Sequence, residues 1–268
     1  MEKKRVLKQE KSQRVRRTAD VVATIRYQEG KKKNPLIDDP FAYLFVSPEG
    51  EEMLAYALKR FPFFAEYLIV RDKFFDDHLM TFCQNDDVRQ VVILGAGNDM
   101  RAARLSFLKG KKVFEVDFPD QIMKKKALLQ KALGKFPEQV VYVEADVTES
   151  GLMKRLSETG FVPHEKSAFI IEGLIYYLKP EEVDHLFAEL SQLPSSGSLF
   201  LLDQISWDMR QKLVDPGKKR NPPYPENLSP YLLQRDFSIR ESTLLGNLTA
   251  RYYGKSYEER WWVIAAEK

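Results

Sequence analysis

The sequence predicts an α/β fold, a doubly wound and mostly parallel sheet of seven strands preceded by helices. Three observations carry that reading. Apolar β-type runs alternate with helical stretches in four successive steps between residues 90 and 203, the rhythm of a parallel sheet covered on both faces. The first run, Val91–Leu94, ends in a tight Gly95-Ala96-Gly97 turn, and the next ends in acids at Glu115 and Asp117. That order builds a Rossmann-like nucleotide cradle, in which glycines let backbone approach a ligand and an acid accepts from ribose hydroxyls. Two further β-type runs close the chain.

The first third shows no strand pattern. Ser12 is placed to cap a helix over 12–29, in which Val15, Ala19, Val22 and Ala23 have roughly helical spacing. Gly30 and the lysines at 31–33 end it. Asp39-Pro40 opens another helical stretch with proline in its first turn. Further helices are predicted over 49–59 and 62–83, so residues 1–84 read as a helical lid. The core, 85–268, has predicted strands at 90–94, 112–116, 139–143, 167–171 and 197–203, with helices at 99–109, 119–133, 148–158 and 180–192. Prolines and glycine within 204–240 mark an insertion of loops with a short helix or two. Residues 242–254 and 257–267 read as a closing antiparallel pair, with alternation at Arg260, Trp262 and Ile264.

Composition narrows the class of protein. With 268 residues and 44% apolar content, the chain can bury a sizeable core. No apolar run reaches the length of a membrane span, and the N-terminus lacks the apolar centre of a secretory signal. The single cysteine, Cys83, cannot form an internal disulfide, which fits a reducing, cytoplasmic setting. Without an activating motif beside it, Cys83 reads as a packing residue. The net charge is +3, with basic clusters at 3–17, 31–33, 124–126 and 218–220. These read as solvated faces or arms, because they lack the interleaved aromatics of a stacking surface. Nucleic-acid binding is therefore a minor alternative, and neither a membrane nor a metal is expected.

The glycine turn does not by itself name its ligand. A dinucleotide site has a third small residue where this chain has Met100. S-adenosylmethionine (SAM) has no pyrophosphate and needs only the turn and the acid. An ordinary αβ turn would look similar, although the acid about 20 residues onward lowers that reading.

Longer motifs resolve the choice. LGAGNDMRAARL, FEVDFP, EADV and IIEGLIYYL, in that order, together with RDKFFDDHL at 71–79, resemble the successive motifs of the leucine carboxyl methyltransferase family, including its bacterial polyketide-type O-methyltransferase branch. The likeness spans about residues 17 to 203. It implies a class I SAM-dependent methyltransferase sheet. The chain departs from the family at Met100, where threonine is usual; Asp99 and Arg101 are retained.

The resemblance also implies roles. Gly95, Ala96 and Gly97 would approach the methionyl part of SAM. Asp117, followed by Phe118, matches the ribose-binding acid, with Glu115 as its near alternative. Asp146 would accept from the adenine amino group, and Val147 would offer backbone N–H and apolar surface. Arg71 matches the arginine that pairs with the SAM carboxylate, and Arg26 is a second basic candidate. Glu172, followed by Gly173, lies where the SAM amino group and the reacting methyl belong. Tyr176 and Tyr177 are candidates for the acceptor pocket. Plainer readings stand beside these: surface charges for Arg71 and Asp72, a cap before Thr148 for Asp146, core packing for the tyrosines and a structural role for His78.

The implied activity is methyl transfer from SAM to a carboxylate or hydroxyl of a small molecule or peptide, by in-line displacement. No His-Asp pair stands at identifiable spacing, which favours an acceptor needing no general base. Two alternatives remain: a nucleic-acid N-methyltransferase, and a SAM- or nucleotide-binding protein without transfer activity. Asn221-Pro222-Pro223-Tyr224 copies the motif of amino-methylating enzymes, but it follows the fifth predicted strand rather than the fourth, so it reads as a proline loop.

Overall fold

A computed structural model describes residues 18–193, 197–213 and 226–268. Its centre is a seven-stranded sheet in the order β3-β2-β1-β4-β5-β7-β6. The strands are β1 (Gln90–Leu94), β2 (Lys112–Asp117), β3 (Val140–Glu144), β4 (Ser167–Ile171), β5 (Leu199–Ile205), β6 (Ser238–Leu244) and β7 (Trp261–Glu267). The first five are parallel; β7 runs antiparallel to both β5 and β6. Each predicted parallel strand is present within about two residues of its expected bounds.

The sheet divides two hydrophobic clusters by the period-2 alternation of side chains. Val91, Ile93, Ala168, Ile170, Leu201, Val263 and Ala265 face one cluster. Val92, Leu94, Phe169, Ile171, Leu202, Ile264 and Ala266 face the other. Central strands buried on both sides read as continuous apolar runs, as Ser167–Ile171 and Leu199–Leu202 do.

The helices on the first face are α1 (18–30), α2 (Pro48–Arg60) and α3 (Phe64–Cys83). The predicted cap Ser12 lies outside the described residues. Ser47 caps α2, accepting from Gly50 N at 3.1 Å, with proline in the first turn. The stretch after Asp39-Pro40 is a short 3-10 turn, Ala42–Phe45. Helix α3 contributes Tyr67, Leu68, Val70, Phe74, Phe75 and Leu79 to the same cluster as β1, β4 and β5.

Helices α5 (Pro119–Leu133), α6 (Leu152–Glu158) and α7 (Pro180–Ser191) occupy predicted sites. The start expected at 148 is instead a turn, because Asp146 Oδ1 accepts from Thr148 N and Gly151 takes φ +89°. The helix expected over 99–109 is also broken. One turn, α4 (Arg101–Arg104), gives way at Leu105 to extended backbone, then to a 3-10 turn, Ser106–Leu108, that carries Leu108 into the core.

Two short helices, α8 (Trp207–Leu213) and α9 (Ser229–Leu233), lie in the predicted insertion. The largest correction concerns 242–254. The strand β6 starts earlier, at Ser238, and residues Leu245–Tyr253 form a helix, α10, ended by Gly254 at φ +66°. Leu245, Leu248 and Thr249 are buried at i, i+3 and i+4, a helical face that the aromatic and β-branched residues of the stretch concealed. No described helix is long and apolar enough to cross a membrane.

Candidate active site

Strand order reverses between β1 and β4, and in such sheets ligands bind in the crevice beyond the carboxyl ends of those strands. Gly95 follows β1 directly and Glu172 follows β4 directly. Between them opens a cavity of about 460 Å³, lined by Arg26, Arg71, the 95–97 turn, Glu172, Gly173 and Tyr176 among others.

Two positions of the turn favour glycine. Gly95 has φ +68° and Gly97 φ +49°, a region that costs an L side chain roughly 1–2 kcal/mol. A Cβ on Gly97 would also lie 3.2 Å from Ala19 Cβ of α1. Asp117 finishes the turn: Oδ2 accepts from Gly97 N at 2.7 Å and Oδ1 from Phe118 N at 2.7 Å. Burial pushes the Asp117 carboxyl up to about 6 despite these two donors. Glu115, its alternative on the same strand, is buried against Lys125 Nζ at 2.6 Å. It is thus committed to an internal ion pair.

The charged core of the site comes from α1, α3, α4 and the turn before it, β5, and the residue that follows β4. Arg71 Nη2 donates to Glu172 Oε1 at 2.5 Å, and Arg71 Nη1 to Asp203 Oδ2 at 3.3 Å. Arg26 Nε donates to Asp72 Oδ2 at 2.6 Å, and Arg26 Nη2 is 3.8 Å from Glu172 Oε1. Arg101 Nη1 pairs with Asp99 and lies 2.7 Å from Glu172 Oε2, off the angle of a hydrogen bond. Arg26, Arg71, Asp72, Asp99 and Arg101 are all buried, so the surface reading of Arg71 and Asp72 is overturned.

Burial pushes the Glu172 carboxyl up to about 7, against the pull of Arg101 and Arg71. Asp72 goes the other way: burial opposes its charge, but Arg26, Arg71 and Arg101 hold it far below the usual carboxylate range. Burial, then the charge of Asp203, raises the Tyr176 hydroxyl well above its ordinary value, so it stays protonated.

Tyr177 also lines this cavity, whereas Phe118, Asp146, Val147 and His78 stand apart from it. Phe118 is the half-buried residue preceding α5. Asp146 lies just past β3, beside the end of β2, where Ala145 N donates to Asp117 O at 2.9 Å. Its Oδ1 accepts from Thr148 N at 3.0 Å and Thr148 Oγ1 at 2.7 Å, which closes a turn rather than capping a helix, since α6 starts only at Leu152. The Val147 side chain packs into the cluster on the far side of the sheet. His78 lies outside the cavity, with Nδ1 2.9 Å from Phe74 O.

Sequence reasoning missed several members. Asp203 and Trp261 lie in apolar strands and carry no motif, and Arg101 and Asp99 had been noted only as retained. Asn98 is buried and donates to Asp20 Oδ1 of α1 at 2.8 Å. Met100 packs with Ala23, Phe45 and Leu129, while Asp99 Oδ1 accepts from Arg101 N at 2.6 Å at the start of α4.

A sheet of this order, with a glycine turn and an acid at its switch point, defines a class I methyltransferase, whose cofactor is SAM. The sequence profile of leucine carboxyl methyltransferases matches residues 19–191, and the chain belongs to that family. A protein of Frankia alni, provisionally named a SAM-dependent methyltransferase, is 34% identical over 186 residues, 68% of this chain and 66% of that protein. A Parafrankia protein with the same provisional name is 36% identical over 216 residues, covering 78% of this chain and 68% of its own length. The chain thus matches about two thirds of the length of these relatives. The crystal structure of a provisionally named methyltransferase from Thermobifida fusca shares the fold, with a TM-score of 0.61 at 16% identity over 83% of this chain and 89% of that one.

Unsatisfied atoms in and behind the crevice wall fit the amino-acid end of SAM. Arg71 Nε and Arg101 Nη2 are buried donors without partners, and Glu172 Oε2 accepts no hydrogen bond. Two guanidinium donors and the Glu172 carboxylate beside them complement an α-carboxylate and an α-ammonium.

Proposed function

We propose that this chain transfers the methyl group of SAM to an oxygen, a carboxylate or a hydroxyl, of a small molecule or peptide. The observation that carries the reading is Glu172, buried between Arg71 and Arg101 across from the 95–97 turn. In this reading residues 1–84 serve as a lid, residues 85–268 as the catalytic core with an insertion at 204–240, and the protein works in the cytoplasm.

SAM, when bound, supplies a methyl group already activated on a sulfonium. The chain's task is to orient, align and exclude water. Arg71, Arg101 and Arg26 hold the methionyl carboxylate, and Glu172 holds the ammonium. Gly95, Ala96 and Gly97 let the ligand lie against backbone, and Gly173 gives Glu172 its turn. Asp117 and Phe118 serve the ribose side, Asp146 and Val147 the adenine side. Phe61, Phe64, Tyr177, Leu213 and Trp261 wall the outer cavity with apolar surface. Tyr176, kept protonated, donates to the acceptor oxygen.

Among the described residues no histidine lines the cavity. A carboxylate acceptor arrives already deprotonated and needs no base, so it suits this site better than an alcohol. The test is incubation with SAM and a panel of carboxylic acids, phenols and short peptides, following S-adenosylhomocysteine (SAH) release. A methyl ester is cleaved by mild alkali and a methyl ether is not. Transfer to nitrogen, or to oligonucleotides alone, would sink the oxygen reading. The Asn221–Tyr224 motif behind the nucleic-acid alternative lies outside the described residues.

A further inference from the structure

We infer that Asp203 is a positioning residue of this site, fixing Arg71, the Gly173 turn and Trp261 in one arrangement through its two carboxylate oxygens. The inference rests on the crevice being the SAM site. Asp203 lies on β5 and is fully buried. Oδ1 accepts from Gly173 N at 2.6 Å. Oδ2 accepts from Trp261 Nε1 at 2.8 Å and from Arg71 Nη1 at 3.3 Å. Leu199–Leu202 before it on the strand are apolar and buried, and a buried carboxylate is costly unless charged and dipolar partners offset its desolvation.

The three donors serve three parts of the site. Arg71 spans Asp203 and Glu172 with its two terminal nitrogens, so its guanidinium plane is set from both sides while its buried Nε has no hydrogen-bond partner. Gly173 has φ +63°, and the bond from its N–H to Asp203 holds the turn that directs Glu172. Trp261 lines the outer cavity, with its ring 5.9 Å from Tyr176 and edge-on at 87°. One carboxylate therefore anchors the cofactor end and a wall of the acceptor chamber together.

The test is a double-mutant cycle on the full chain, with SAH as the probe and affinity read by calorimetry well below the melting temperature of each variant. Asp203→Asn keeps the shape, removes the charge and turns an NH₂ toward a donor. It should weaken SAH binding about tenfold or more, the size expected for charged hydrogen bonds. Combined with Arg71→Lys, the loss should be smaller than the product of the single losses, because Asp203 acts through Arg71. Unchanged affinity in Asp203→Asn, or strictly multiplicative losses, would overturn the inference. Should Asp203→Asn not fold, Asp203→Glu replaces it in the cycle with Arg71→Lys, since it keeps the charge and displaces the carboxylate by one methylene. Coupling between them supports the anchor, and independence overturns it. A wild-type chain that fails to bind SAH would instead overturn the cofactor reading itself, and this inference with it.

Discussion

Arg71 and Glu172 meet at 2.5 Å, one from the middle of α3 and the other from the first residue after β4. Their side chains are 2% and 9% exposed, so the pair is shielded from solvent and each charge depends on the other. Removing one partner of such a pair costs about 3–5 kcal/mol, because the other is left uncompensated. Arg71→Met, which leaves Glu172 uncompensated, should therefore lower the melting temperature, whereas Glu172→Gln removes a charge that burial already disfavours and should change it little. Glu172→Gln should still weaken SAH binding by at least about tenfold, since the ammonium loses its carboxylate. Thermal melts on the two variants and calorimetry on Glu172→Gln check both.

Stability and cofactor affinity should respond to pH in opposite directions. Burial raises Glu172 from 4.5 to about 7, Glu115 from 4.5 to about 7 and Asp117 from 3.8 to about 6. Each folded value lies above the unfolded one, so the stability these groups contribute is full below about pH 4 and lost as pH rises through 6 to 7. The melting temperature of the free chain should thus fall between about pH 5 and 8. SAH affinity should rise over the same interval as Glu172 ionises. Glu172→Gln should flatten the affinity profile; a profile of unchanged steepness would remove Glu172 from the cofactor site.

Asp20 fastens α1 across the glycine turn. It accepts from Asn98 Nδ2 at 2.8 Å, Lys124 Nζ at 2.9 Å and Ser47 Oγ at 3.1 Å. Asp20→Ala should cost about 1–3 kcal/mol and loosen the helix that carries Ala19 against Gly97. The expected outcome is faster SAH dissociation in stopped-flow, with proteolysis advancing first at α1. A dissociation rate equal to wild type would show that α1 does not gate the cofactor.

Met100 is a packing residue in this structure, held among Ala23, Phe45 and Leu129. Met100→Thr, which restores the residue usual in the family, should cost about 1–3 kcal/mol through lost apolar volume. SAH affinity should change by less than about threefold, because Asp99 already accepts from Arg101 N. A large gain in affinity would instead give Met100 a direct influence on the cofactor.

The parallel half of the fold was legible because β1, β4 and β5 are short, largely apolar runs buried on both faces, and β2 and β3 are β-branched and aromatic runs set off by turn residues. The closing half was less so. Residues 245–253 contain the aromatic and β-branched residues that also suit a strand, and what decides for α10 is the packing of Leu245 and Leu248 against the cluster beneath the sheet. The interruption at Leu105 has the same origin, since a tertiary contact of Leu108 overrides helical spacing.

By itself the sequence determined the order of the elements, the glycine turn, and the acids and arginine carried by local motifs. Those features depend on conformational preferences and periodicities within a few residues of one another. Only the tertiary structure decided which charges meet. Arg71 is 132 residues from Asp203 and 101 from Glu172. No local pattern reveals Asp203 or Trp261, because each lies in an apolar strand and acquires its partner when β4, β5 and β7 close against α3. Burial then makes those meetings consequential. It shifts Glu172 and Asp117 into the range where their charge responds to cellular pH, something composition and spacing do not encode.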